Sequence, residues 1–336
     1  MKLRRWLSRG IVLAMVVALM VPMPVAAKSS KSGGKLVKSV EYYDYNNGQD
    51  GKYGTADDKY VPTTKYVYTY DKKNNPNEVK TYNYYSYFLN VPVNGDVNIT
   101  SFKYKYKGKT PKSMKASNDI GYVTASRKYT KGKVTSYSGV QGFFDEEDGE
   151  YYDFGTTTRA DGVQVENSKK VNGSIAYNKN GNVTATCQVS SITKAGVPQG
   201  TEESNRTYFV NQKKGIPSYI YRTGNSKDTA ADGKVTVWDG SVEGGEYTTF
   251  NGKGLAVQQG DYSKEGNKYV ADRMIQYVMK KGNVAEAVIF SVDSTGKQEA
   301  VGKYVFKYGK TKVSKQRYMN MINSFVTYWD DYYFWY

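Results

Sequence analysis

Histidine is absent from the 336 residues, and cysteine occurs once, as Cys187. Without histidine there is no Ser-His-Asp or Cys-His nucleophile and no imidazole-ligated zinc. A single cysteine excludes an intrachain disulfide, so stability has to come from a packed sheet core, with calcium as the one candidate metal aid. Long apolar runs are also scarce. The run Ile11–Val21 is shorter than the roughly 20 residues that span a bilayer, and no second stretch approaches it. No phosphate-cradling glycine loop or nucleophile elbow is present either.

Lys2, Arg4, Arg5 and Arg9 precede the apolar run, Pro22 and Pro24 break it, and Val25-Ala26-Ala27 supplies small residues after it. This order predicts a secretory signal peptide over residues 1–27, cleaved after Ala27, and a secreted product with no transmembrane segment. Removing those residues lowers the net charge from +16 to +12. The remaining basic residues are mostly lysine, a solvated point charge, where arginine would supply the fork that reads phosphates and bases. These lysines alternate with aromatics, as in Phe102–Lys107, and read either as a solvated sheet face or as a surface that attracts an anionic polymer outside the cell, such as a wall polyanion or acidic glycan. Nucleic acid is set aside, because no recognised binding motif accompanies the charge.

Aromatic side chains, by contrast, make up 15% of the chain, with 34 tyrosines. Tyrosine joins a large apolar body to a polar tip and suits half-buried sheet surfaces. In Gly173–Val189, Ile175 and Tyr177, then Val183, Ala185, Cys187 and Val189, alternate with polar residues, the mark of strands with one buried face. A three-residue loop at Lys179–Gly181 pairs Tyr177 with Val183 and Ile175 with Ala185, which places Cys187 in the core as a small apolar residue. Gly181-Asn182-Val183 recurs as Gly282-Asn283-Val284, and looser hairpins surround Gly215, Gly254, Gly266, Gly296 and Gly309. Further turns are expected at Asp71–Asn77, Asn94-Gly95-Asp96, Lys107-Gly108-Lys109 and Lys131-Gly132-Lys133.

The period changes only near the end. Tyr318, Met321, Ile322, Phe325 and Trp329 follow helical spacing and predict one amphipathic helix, followed by an aromatic tail. The expected fold is all-β, an antiparallel meander of tyrosine-rich hairpins forming a sheet, sandwich or barrel, with one C-terminal helix. Its organisation reads as a flexible leader (28–35), an N-terminal β subdomain (36–144), an acidic loop (145–153), a C-terminal hairpin region (154–313), and the helix with its tail (314–336). Tyr68-Thr69-Tyr70-Asp71 and Tyr177-Asn178-Lys179-Asn180-Gly181-Asn182-Val183 resemble the tyrosine-aspartate repeats of RHS-type secreted proteins. That resemblance implies antiparallel sheet and a surface or exported role, without an activity.

Three groups of residues could carry chemistry. Asp44, Asn46, Asp50, Asp57 and Asp58 cluster in a glycine-containing loop with the oxygen-rich spacing of a Ca²⁺ site, and Asp228–Asp239 repeats part of that spacing. Asp145-Glu146-Glu147-Asp148-Gly149-Glu150 with Asp153 offers paired carboxylates for a glycoside hydrolase or lyase. Tyr84, Tyr85 and Tyr87, and Tyr333 with Trp335, offer rings on which sugars stack. The missing catalytic inventory favours a secreted, non-enzymatic protein contacting extracellular polysaccharide or anionic cell-wall polymer. The alternatives are the carboxylate enzyme and a purely structural assembly protein without a glycan ligand.

Overall fold

The structure, a computed structural model, describes residues 32–46, 59–86, 91–118, 123–141, 143–144, 151–152, 155–158, 161–179, 183–213, 216–239, 244–263 and 268–327. Its first strands are β1 (Ser32–Asn46), β2 (Lys59–Tyr70), β3 (Pro76–Ser86), β4 (Val91–Lys107), β5 (Thr110–Asn118), β6 (Val123–Thr130) and β7 (Lys133–Gln141). Short strands β8 (Phe143–Phe144), β9 (Tyr151–Tyr152) and β10 (Gly155–Thr158) precede β11 (Gln164–Tyr177), β12 (Val183–Lys194), β13 (Val197–Lys213) and β14 (Ile216–Ala230). Then come β15 (Val235–Asp239), β16 (Gly244–Phe250), β17 (Ala256–Ser263), β18 (Lys268–Lys280), β19 (Asn283–Val292) and β20 (Gln298–Ser314). One helix, α1 (Lys315–Val326), follows.

Among the described residues the architecture is all-β and antiparallel with a single C-terminal helix, as the alternating pattern predicts. The pairings add its topology. β1 bonds to β2 along one edge and to β20 along the other, so the meander returns to its start. From β2 the ladders run through β3–β7, cross to β11, and continue through β12 and β13 to β14. A short join leads to β16, and β17, β18 and β19 lead back to β20. β10 and β15 lie alongside this circuit in the 18-stranded sheet, and β8 pairs with β9 separately. Because β7 bonds directly to β11, hydrogen bonding is continuous between the strands that flank the acidic segment 145–153.

Two turn types recur along the meander. Lys131-Gly132, Ala195-Gly196 and Lys281-Gly282 are two-residue turns in which both residues have positive φ, from 50° to 80°, the requirement of a type I′ hairpin. Longer five-residue loops begin at Asp71, Asn251 and Asp293. In each, the side-chain Oδ1 of that first residue accepts two backbone N–H groups at 2.8–3.1 Å. The fourth residue of each loop has positive φ: Asn74 at 66°, Gly254 at 86° and Gly296 at 86°. Asx residues hold such turns by satisfying the loop's own donors. Asn74 therefore fills the position where the Tyr-x-Tyr-Asp pattern would place glycine.

The face carrying α1 is the inner one. Ser314 caps the helix by accepting the Arg317 N–H at 3.3 Å. Phe325 packs its ring 5.7–6.4 Å from those of Tyr66, Tyr68, Tyr304 and Phe306. Asn323 is buried and ties the helix to the start of β17 and the loop before it: it accepts the Ala256 N–H at 2.9 Å and donates to the Gly254 carbonyl at 3.0 Å. Arg317 donates to the Asn74 carbonyl, and Tyr318 Oη accepts the Val284 N–H at 2.5 Å. Together these clamp β1, β2, β17, β19 and β20 under one cover.

Three expectations need correction. Ser32–Lys35 belongs to β1 and is not a free leader. Gly33 and Gly34 let it pass under the helix, since a Cβ there would lie 2.0 Å from Lys315 Cα and 2.3 Å from the Tyr318 ring. Asn94-Gly95-Asp96 does not reverse the chain. Asn83 pairs with Asp96 and Tyr85 with Pro92, so the segment is a bulge within β4. In the third case, Tyr177 does pair with Val183, but a one-residue slip then sets Ile175 opposite Thr186, not Ala185. A slip of one residue exchanges the faces of a strand. Thr186 and Ser190 are accordingly buried, Val189 is exposed, and Cys187 is a partly exposed outer-face residue, not core.

Candidate functional site

On β1 the residues that alternate with inner Val40 and Tyr42 are Glu41 and Tyr43, which project from the outer face. Cross-strand register brings Lys65 of β2 opposite Glu41, Tyr82 of β3 opposite Lys65, and Lys303 of β20 opposite Tyr43. Glu41 joins three of these strands. Its carboxylate lies 3.1 Å from Lys65 Nζ and 3.3 Å from Lys307 Nζ, and accepts the Tyr43 hydroxyl at 2.8 Å. A neighbouring pair, Lys303 with Glu286 at 3.0 Å, sets the Lys303 ammonium 4.6 Å from the Tyr60 ring centre and 5.8 Å from that of Tyr43. Tyr60 in turn meets Tyr45 edge to face at 5.0 Å.

The electrostatics follow from this packing. Partial burial and the bond to Glu41 push the Tyr43 hydroxyl up to about 12. Burial also pushes Glu41 upward, but hydrogen bonds from Tyr43, Lys65 and Lys307 outweigh it and hold the carboxyl below its ordinary value. The bond to Glu41 raises Lys65, with smaller contributions from Tyr84 and Tyr82. An ionised Glu41 beside neutral phenols and charged ammoniums makes a row of donors, acceptors and ring faces.

Of the expected stacking residues, Tyr84 is half-buried and close enough to Tyr43 and Lys65 to act on both. Tyr85 lies on β3 opposite Pro92, while Tyr87, Tyr333 and Trp335 fall outside the described residues. In the proposed Ca²⁺ loop, Asp44 sits in β1 opposite Val61 and Gly302, and its charge acts on inner-face Tyr304. Asn46 ends the strand, exposed, opposite Lys59. Asp50, Asp57 and Asp58 lie outside the described residues, as does most of the 145–153 acidic segment. Asp228–Asp239 forms the β14–β15 hairpin, in which Asp232 Oδ1 accepts the Lys234 N–H at 2.8 Å. Among the described residues, no cluster of three or more Asp, Glu, Cys or His stands ready for a metal.

Sequence reading missed Glu41, Tyr43, Tyr60, Lys65, Lys303 and Lys307. Lys–Tyr alternation marks each strand singly, but the contact between Glu41 and Lys307 spans 266 positions. Only the closing pairing of β1 with β20 creates it.

No described helix is long and apolar enough to cross a membrane. No known family's profile matches the chain, and no characterised protein matches it in sequence. Among solved structures, the chain is similar to a porin-like protein from Bacteroides vulgatus, with a TM-score of 0.44 and 11% identity over 82% of this chain and 100% of that one. It is also similar to a porin-like protein from Bacteroides uniformis, with a TM-score of 0.35 and 9% identity over 81% and 98% of the two chains. Neither likeness bears on what this chain does.

Proposed function

We propose that this chain is an exported, non-enzymatic binding protein that holds extracellular polysaccharide on its outer sheet face. The observation that carries the reading is the cluster on β20, β1, β2 and β3, where Tyr43, Tyr60, Tyr82 and Tyr84 stand among Lys65, Lys303, Lys307 and Glu41. Tyrosine rings offer apolar faces to the C–H faces of sugars, and the ionised pairs between them offer partners to hydroxyls. The lysines also argue that this face meets water. A lysine facing lipid costs about 2–4 kcal/mol at the bilayer midplane, and several share this face. Residues 1–27 supply the export signal on which the extracellular part of the reading rests.

Retention on insoluble cellulose and chitin tests it, with wild type compared against the double variant Tyr43→Ala/Tyr84→Ala. Two aromatic contacts at about 0.5–1.5 kcal/mol each amount to roughly tenfold in affinity. The expected result is retention of wild type on at least one polymer and about tenfold weaker retention of the variant. Absence of wild-type retention on both, or equal retention of the two proteins, overturns the reading.

A further inference from the structure

A second part of the outer face is built differently. From Val97 to Gln141 the chain contains ten basic residues and a single acid, Asp119. On the outer face of β4–β7 and β11 lies an open trough of roughly 620 Å³. Its floor is small and hydroxylated: Ser117, Ser126 and Ser138, with the Ser126 and Ser138 Oγ atoms 2.7 Å apart. Lysines flank that floor, Lys103 and Lys115 on one side and Lys170 on the other.

The pairing makes this arrangement costly for folding alone. Lys103 and Lys115 stand directly opposite each other on adjacent strands, and like charges so placed destabilise a sheet. On its other side Lys115 faces Ser126, so no carboxylate there relieves it. Lys105 and Lys128 extend the positive strip, both opposite Ser113. Among the described residues, Lys170 alone of these lysines has an acid partner, Glu166 at 3.2 Å, with both side chains about half exposed (51% and 52%). Such a surface pair exchanges readily. From β5 to β11 is three strand spacings, about 14 Å.

We propose that this trough binds an acidic polysaccharide, its anionic groups between the two lysine walls and its sugar hydroxyls on the serine floor. Lysine point charges select for charge density and not for one anion's shape, so sulfate, phosphate and carboxylate on a glycan backbone are alternatives of one chemistry. The inference deepens the polysaccharide-binding reading by naming a charged ligand class, at a site separate from the tyrosine cluster.

The test measures binding to dextran sulfate and to uncharged dextran across a salt series. The proteins are wild type, Lys103→Gln/Lys115→Gln/Lys170→Gln, a control with Lys59→Gln/Lys227→Gln/Lys253→Gln, and Tyr43→Ala/Tyr84→Ala. Wild type is expected to bind dextran sulfate more weakly as salt rises. The trough variant should lose about tenfold at low salt, and the control much less. Carboxylated dextran in place of dextran sulfate separates the anion sources, and binding to either supports the site. Absence of wild-type binding to both charged polymers, or equal losses in trough and control variants, overturns the proposal. The tyrosine variant keeps the readings apart: its charged-polymer binding persists if the trough acts alone, whatever happens on cellulose and chitin.

Discussion

The strands clamped by α1 and the strands β11–β15 are written in the same alternating code, yet their inner faces differ. Under the helix, Leu36, Val37, Val40, Tyr66, Val79, Ile289 and Phe306 are all buried. Along β11 and β12 the buried positions are largely Asn167, Ser168, Thr186 and Ser190, and every residue of β15 is exposed, Val237 to 65% and Trp238 to 61%. The difference follows the cover. A sheet face that receives a helix can bury apolar area, whereas one without such a cover has to satisfy polar groups along its own ladders. Apolar burial is thus concentrated where the first and last described elements, β1, β20 and α1, meet.

Truncating the helix contact breaks this comparison most strongly. Phe325→Ala removes a ring only 2% exposed that touches four aromatic partners. It should cost about 3–5 kcal/mol in denaturant unfolding. Val237→Thr on β15 should stay within about 0.5 kcal/mol. Comparable losses at the two positions would show that the helix-bearing sector has no special share of the stability.

Alkaline pH sharpens the same contrast with a smaller effect. Burial raises Tyr304 from 10.0 to about 12. Its neutral form is the one the fold favours, so its contribution is intact below the unfolded value and is lost as pH rises from 10 to 12. That loss is roughly 2–3 kcal/mol. Burial also raises Tyr277 and Tyr308, in the same sector. Unfolding curves at stepped pH should therefore show stability falling above pH 10, and Tyr304→Phe should flatten the fall. An unchanged slope in Tyr304→Phe would contradict the assignment.

Much of this architecture is legible in the residues themselves. Strand alternation, the lysine–glycine turns and the helix spacing of Tyr318, Ile322 and Phe325 need only local rules. So does the division between turn types, because an Asp or Asn at the first loop position recruits two N–H groups and lengthens the turn. Gly181-Asn182-Val183 and Gly282-Asn283-Val284 look alike, but Val278, Met279 and Lys280 offer no such acceptor, and the second closes as a two-residue turn. Phase within a strand is less readable. Bulges follow the turns by a residue or two, as between Ala176 and Tyr177 and between Val278 and Met279. Each reverses which residues face inward. The tyrosine cluster and the lysine trough are harder still, since both depend on which strands become neighbours. Tyr84 was visible as an aromatic in a dense run, whereas Glu41 and Lys307 have no local signal at all.

Inner and outer faces set by these slips are the premise of both proposed binding surfaces, and the native thiol reports on them directly. Burial, with Glu203 nearby, raises the Cys187 thiol, so labelling is best followed at mildly alkaline pH. Maleimide labelling of the folded protein should modify wild-type Cys187. A Thr186→Cys/Cys187→Ser variant, its thiol moved to a position 6% exposed, should react only after unfolding. The opposite pattern, a protected Cys187 and a reactive thiol at position 186, would place Ala185, Cys187 and Val189 inside and contradict the account.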